Sequence, residues 1–319
     1  MSFNSSDFLI FFPIVVLIYF LIPQKLKNYW LLIASYYFYM CWNAKYALII
    51  LFSTIVTYLS GLALDTLQQR SADPLITRKK KIVVAISVLL NLSLLFYFKY
   101  INFAIGILGN ALSVFHIQLN LPSVDILLPV GISFYTFQAL GYTIDVYRGN
   151  TCAEKNFFQY ALFVSFFPQI LQGPIGRYSN LAHQFYEEHS FDFMRIERGV
   201  QRVLWGFFKK MVIADTAAVF VDAIFDQYQT YNGLAILGVL AYSAQLYGDF
   251  SGGMDVVIGI ASMFGIEMDE NFKRPYFSIS ITDFWHRWHI TLGTWMKDYL
   301  FYPLSLSKGM GKFGKFAKK

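Results

Sequence analysis

From Ile82 to Phe98 the chain reads IVVAISVLLNLSLLFYF, seventeen residues without a charge, set between Lys81 and Lys99. As a helix this run is about 26 Å long, close to the roughly 30 Å hydrocarbon thickness of a bilayer. A helix that is apolar on every side must be buried in protein or lie in lipid. The remaining sequence favours lipid. Hydrophobic residues make up 56% of the chain, aromatics 19% and charged residues 14%, against about 25% charged in an ordinary soluble domain. The expected class is all-α, a polytopic membrane helix bundle with short interfacial or re-entrant helices.

Phe8–Ile22 reads as a retained first membrane segment. Its leader, MSFNSSD, lacks the basic start of a secretory signal, and no small-residue cleavage site follows. Tyr29–Trp42 and Ala47–Leu64 come next, separated by the polar break Asn43–Lys45. Basic residues gather at Lys25 and Lys27, then within Arg70–Lys81. Placing both groups in the cytoplasm puts the N-terminus outside and lets the first four segments alternate. The net charge of +6 is then loop anchoring; no nucleic-acid partner is expected.

Beyond Lys99, INFAIGILGNALSVFHI is expected as an interfacial helix at the outer face. Pro129–Tyr147 is the next apolar segment, and Phe157–Leu171 is interrupted by Pro168. QGPIGRYSNL is too rich in Gly and Pro for a plain helix, which leaves a re-entrant, cavity-lining segment or a surface loop. Asn180–Arg202 is polar, a loop or an interfacial helix. Val203–Phe225 is apolar but carries Lys209, Lys210 and Asp215. Leu234–Tyr247 and Gly252–Phe264 read as two apolar segments joined by a polar turn, GDFSGGMD. The count is eight to nine segments, some partial, in one domain over 1–319, with N-terminal helices in 1–125 and a tunnel-forming core in 126–319.

The stretch from Asp283, DFWHRWHITLGTWMKDYLFYPL, places much ionisable chemistry beside these apolar runs. As one helix it sets Asp283 and Arg287 at i,i+4, where they can pair, and Trp285 over His289 at the same spacing. Two readings fit: an interfacial amphipathic helix with tryptophans at headgroup depth, or the wall of a reactive cavity. Histidine titrates near neutrality and can take a proton from a hydroxyl, so His289 is the candidate base. HxxH lacks a third ligand nearby, so no metal is expected. Cys41 and Cys152 match no metal or redox spacing. No phosphate loop, zinc-protease motif or GxSxG serine motif is present; the donor of any reaction would arrive already activated.

Four stretches together resemble the membrane-bound O-acyltransferase family, in the branch of alginate O-acetyltransferases and the D-alanyl transfer proteins of teichoic acid: LPVGISFYTFQALGYTIDVYRG, FFPQILQGPIGRY, YGDFSGGMDVVIGIASMFGI and NFKRPYFSISITDFWHRWHITLGTWMKDYLFYPL. The resemblance runs over nearly the whole chain. It implies a bundle around a tunnel and acyl transfer from a cytoplasmic thioester, with acetyl-CoA as donor and no bound cofactor. The acceptor is a hydroxyl of a cell-surface or exported polysaccharide, reached directly or through an extracytoplasmic transferase partner. Alternatives are D-alanyl transfer to teichoic acid, a non-catalytic membrane partner, or a transporter. The RWH histidine of the family falls on His289, and Trp285, Arg287, Trp288 and Asp298 occupy matching positions. Asp283 would pair with Arg287. Gln138, Gln169, Arg177 and Asp249 are weaker candidates for lining the tunnel. His286 stands where relatives often have arginine. The resemblance ties catalysis most closely to a second histidine on a later apolar segment, which has no counterpart before SLSKGMGKFGKFAKK; the chain is therefore expected to be C-terminally incomplete and to lack full activity by itself, with His289 lining the tunnel to position the acceptor or support that histidine.

Overall fold

The computed structural model of the chain describes residues 1–70, 73–114, 124 and 127–307. Among the described residues its regular elements are all helices. The N-terminal helices are α1 (Ser6–Leu21), α2 (Gln24–Met40), α3 (Ala44–Gln68) and α4 (Pro74–Val114). Then come α5 (Ile132–Arg148), α6 (Phe157–Ser165) and the short α7 (Phe167–Ile170) and α8 (Tyr178–Leu181). The last part holds α9 (Phe193–Phe207), α10 (Asp215–Asp226), α11 (Tyr228–Tyr231), α12 (Ala235–Met263), α13 (Ile281–Arg287), α14 (Ile290–Met296) and α15 (Tyr302–Ser305). Two π-helical turns, Phe208–Ala214 and Lys297–Phe301, interrupt this series. Among the described residues the only extended pairing is an isolated bridge between Phe272 and Trp288.

Polar residues act as helix starts, most of them at the expected breaks. Ser5, Asn43, Asn156 and Asp192 each accept a backbone N–H of the first turn of α1, α3, α6 and α9, satisfying donors that a helix leaves unpaired. The break expected at Asn43–Lys45 is thus a single capping residue. Asn91, the one amide in the uncharged run from Ile82 to Phe98, is also accounted for. Its Oδ1 accepts from Ser53 at 2.5 Å and its Nδ2 donates to the Ser87 carbonyl at 2.9 Å, a polar tie between α3 and α4 of the kind that joins helices in lipid.

Two sequence expectations fail here. The interfacial helix over 101–117 is the continuation of α4 as far as Val114, with 115–117 outside the described residues. No proline separates it from the preceding run, and Lys99, a good helix former, continues the helix with its ammonium over the Tyr100 ring at 5.6 Å. GDFSGGMD is not a turn: α12 passes through it unbroken. Its glycines serve close packing instead. A Cβ on Gly252 would stand 2.7 Å from the Gly206 carbonyl oxygen, and one on Gly206 would stand 2.6 Å from that of Gly252. Two helical turns away, Gly259 and Gly199 repeat the contact at 2.8 and 2.9 Å. Thus α9 and α12 cross backbone to backbone. Gly252→Val is expected to destabilise by about 1–3 kcal/mol through overpacking, read as a lowered thermal midpoint in detergent; an unchanged midpoint would refute the contact.

The irregular segment after α7 is inside the protein, which removes the surface-loop alternative for Gly173, Pro174 and Ile175. Protein groups satisfy its backbone: Gln169 Nε2 donates to the Pro174 carbonyl at 2.6 Å, and Ile175 N donates to Thr291 Oγ1 at 3.1 Å. This is the condition for irregular backbone at membrane depth.

A shared hydrophobic core joins residues of 1–125 to those of 126–319, among them Leu31, Phe38, Leu64, Phe163, Phe167 and Ile260. The ends of the bundle are sorted. At one end Lys27 reaches the His189 carbonyl (2.6 Å), Gln68 that of Val146 (2.6 Å) and Tyr19 that of Phe264 (3.3 Å). At the other, Trp42 reaches Met1 (2.8 Å) and Tyr39 reaches Val130 (3.0 Å). Among the described residues, Ala44–Gln68 and Pro74–Leu112 are long and apolar enough to cross a bilayer, and Ser6–Leu21 is a shorter apolar helix.

Candidate active site

After α12 the chain turns at Gly265 and runs back beside it. Residues 271–273 then meet 287–290: Lys273 N donates to the Arg287 carbonyl at 2.9 Å, and Ile290 N to that of Asn271 at 3.0 Å. These two bonds stop the helix that the spacing from Asp283 predicts. Trp288 is extended, and His289 takes a left-handed conformation with φ 47 and ψ 52. The stretch is therefore two short helices, α13 and α14, and Trp285 and His289 do not share a helical face. The Asp283–Arg287 pair lies wholly within α13 and forms at 2.8 Å. The guanidinium holds the Asp283 carboxyl below its usual range.

The left-handed turn delivers His289 to Asn271. The Asn271 side chain is fully buried, and its Oδ1 lies 3.2 Å from His289 Nδ1, 3.1 Å from Thr291 N and 3.0 Å from Thr291 Oγ1. A backbone N–H only donates, so the atom facing Thr291 N must be the amide oxygen. Nδ1 of neutral His289 then carries the proton, and Nε2 keeps its lone pair for a substrate proton. The Phe250 ring meets the imidazole edge-on at 4.8 Å. Burial lowers His289 from 6.5 to about 4, so the ring is neutral at physiological pH. Phe250 stands near the middle of the 29-residue α12, which places His289 about 20 Å from either end of that helix. Asn271 is the member of this candidate site that the sequence reading missed.

In front of Asn271 opens a cavity of about 1100 Å³, lined by the π-helical turn, α12, residues 270–276 and Arg287. Asn271 and Arg287 form part of its wall; His289 does not line it but lies behind Asn271, because its turn aims the ring at Phe250. The π-helical turn sends consecutive lysines to different places. Lys209 is buried, 2.5 Å from Asp255 and 3.0 Å from Ser251 Oγ. Arg202 joins the same network, 3.0 Å from Asp255 and 2.7 Å from Glu270. Lys210 instead pairs with Asp249 at 2.7 Å and Asp215 at 2.9 Å.

The other sequence candidates divide accordingly. Trp288 packs among Tyr247, Phe272, Tyr276 and Phe284, an aromatic group of which three members line the cavity. Trp285 is exposed and touches Phe284. Asp249 is exposed and does not face the cavity. Gln138 is buried and ties α5 to the Phe163 carbonyl at 2.7 Å. Gln169 braces Pro174, as above. Asp298 pairs with Arg177, and its carbonyl accepts from Arg148 at 3.0 Å. Beside them Tyr299 donates to Asp145 at 2.5 Å. That second cluster lies next to the α5 terminus, at the Gln68 end of the bundle.

A profile described as MBOAT, membrane-bound O-acyltransferase family, matches residues 151–317, which include the cavity, Asn271 and His289. The chain belongs to the membrane-bound O-acyltransferase family. It is 42% identical over 313 residues to the probable alginate O-acetylase AlgI of Pseudomonas aeruginosa, an alignment covering 97% of this chain and 58% of that protein. It is 34% identical to the peptidoglycan O-acetyltransferase of Helicobacter pylori, covering 95% of this chain and 61% of the relative. With the teichoic acid D-alanyltransferase of Bacillus subtilis it shares 29% identity over 58% of this chain and 48% of the relative. The chain thus spans about three fifths of the length of the curated relatives it matches most fully. Family membership makes it a membrane protein.

Proposed function

We propose that this chain provides His289 and the cavity beside it in a multi-pass membrane O-acyltransferase, moving an acetyl group from a cytoplasmic thioester to a hydroxyl of a cell-surface or exported polysaccharide. The single observation that carries the reading is His289, neutral and fixed in one tautomer by Asn271, behind the wall of a large cavity midway along α12. Nε2 accepts the hydroxyl proton as the oxygen attacks the thioester carbonyl. The C–O bond forms, the C–S bond breaks, and the proton passes to the departing thiolate. Trp288 and its aromatic neighbours give the passage an apolar wall, and Arg287, held by Asp283, keeps α13 in place.

The names of the fuller-length relatives, alginate O-acetylase and peptidoglycan O-acetyltransferase, favour acetyl transfer to a glycan over D-alanyl transfer. Acetyl-CoA is the donor of choice, and an extracytoplasmic transferase is the partner if the glycan is not reached directly. The orientation is N-terminus outside. The sorted bundle ends support it, because the Lys27 and Gln68 end adjoins the basic Arg70–Lys81 region. That face also carries the Arg177–Asp298 cluster and would meet the thioester.

The test uses the protein in sealed vesicles, with radiolabelled acetyl-CoA supplied on the face bearing the Arg70–Lys81 loop and polysaccharide on the other. Label on the polysaccharide, dependent on that orientation, is the expected result. Label transferred only when donor and acceptor share one face would overturn the orientation, and no transfer in any arrangement would overturn the activity.

A further inference from the structure

Among the described residues, two that are not glycine have positive φ: His289 and Arg274, at 47 and 48. Both belong to the same short backbone pairing. A side chain in this region crowds its own backbone, and Arg274 also precedes Pro275, which disfavours helical conformations of either hand at the residue before it. The conformation is held from both sides. Lys273 N is bonded to Arg287, Phe277 N donates to the Arg274 carbonyl at 3.1 Å, and Pro275 is buried. Strain of this kind persists where surrounding structure imposes it and marks sites of function.

Charge bookkeeping around the cavity points the same way. Lys209 is matched by Asp255, Arg202 by Asp255 and Glu270, and Arg287 by Asp283. Lys273 and Arg274 both line the cavity, and among the described residues neither has a carboxylate within ion-pair distance. Around them stand Tyr247, Tyr276 and Ser243, with Tyr276 donating to the Ser243 carbonyl at 2.7 Å. Ser243 and Tyr247 lie on the N-terminal half of α12, away from the end that adjoins the Lys27 region. A cavity with two unmatched cations beside aromatic faces is complementary to a sugar ring that bears an anionic group.

We infer that Arg274, assisted by Lys273, is an anion-recognition site on the cavity wall for a carboxylate or phosphate borne by the substrate. A planar guanidinium takes such a group through two parallel hydrogen bonds, which a lysine cannot reproduce. The position on the α12 half opposite the proposed donor face assigns the anion first to the acceptor, an acidic glycan. This rests on the acyl-transfer reading for the identity of the acceptor, but not for the binding itself.

The experiment therefore measures binding, not turnover. Affinities of the purified chain in detergent are determined for a hexameric oligouronate, a neutral cellohexaose, inorganic phosphate and coenzyme A, using the wild type, Arg274→Gly, Arg274→Lys and Lys273→Gln. Arg274→Gly is expected to weaken oligouronate binding at least tenfold while its thermal midpoint stays level or rises, because glycine adopts this backbone freely. Arg274→Lys should fall between, and the weak cellohexaose binding should not change. A loss confined to coenzyme A and phosphate would support the anion site and transfer it to the donor. Unchanged affinity for all three anions, or equal loss for cellohexaose, would overturn it. Failure of acyl transfer alongside Arg274-dependent binding would remove the acyl-transfer reading and leave this site standing.

Discussion

His289→Ala is expected to lower acyl transfer by a factor of about 10²–10⁴, the range for removing a positioned general base, with little change in the amount of folded protein. The imidazole touches Phe250 edge-on and makes one hydrogen bond, so its removal leaves Asn271 Oδ1 with both Thr291 donors. The pH dependence follows from burial. The folded ring has its pKa lowered to about 4 from 6.5, so it remains an unprotonated base at pH 5–6, where an exposed histidine would already be charged. The acid limb of kcat/KM set by this group is therefore expected near pH 4. Stability runs in the same direction: between 6.5 and about 4 the unfolded chain binds a proton that the folded chain refuses, so folding weakens as pH falls through that window. A pH–rate profile with its acid limb at 6.5, or an alanine variant within threefold of wild type, would refute this role.

The second large effect is at Asn271. Asn271→Leu leaves Thr291 N and Thr291 Oγ1 buried without their acceptor and frees His289 Nδ1. Unsatisfied buried donors cost about 1–3 kcal/mol each, so the loss is expected to be about 3 kcal/mol, with transfer falling as far as in the His289 variant. Asn271→Asp separates orientation from mere folding. Its carboxylate can still accept from all three donors, while its charge favours imidazolium. It should restore the thermal midpoint and move the acid limb upward toward neutrality. An aspartate variant with an unshifted profile, or a leucine variant as stable and active as wild type, would show that Asn271 does not orient the ring.

Helix existence was legible because apolar length and capping residues act locally: α1, α2, α3 and α5 start within a few residues of their expected positions. The misreadings came from residues with two uses. Glycine marks turns, and GDFSGGMD looked like one, but in α12 Gly252 admits α9, a fact set by a helix some fifty residues away. The helical spacing of Trp285 and His289 was read correctly from the numbers and defeated by two backbone bonds from 271–273. Asn271 opened a recognised stretch, NFKRPY, yet nothing in its own neighbourhood is periodic, and its partner lies eighteen residues on. The different fates of Lys209 and Lys210 depend on a π-helical turn that no residue pattern announces.

The direct backbone contact of α9 with α12 has a mechanical consequence. Helices that touch through glycine have no side-chain layer in which to slide, so that flank of the cavity behaves as a fixed doorpost. The facing flank, residues 270–288, meets α12 and α9 through side chains instead, Tyr276 on Ser243, Phe272 on Tyr247 and Glu270 on Arg202 among them. On the proposed reading, any widening that admits a sugar chain would come from that leaf, which carries Asn271 and Arg274, so entry of the acceptor and alignment of His289 would be mechanically one movement.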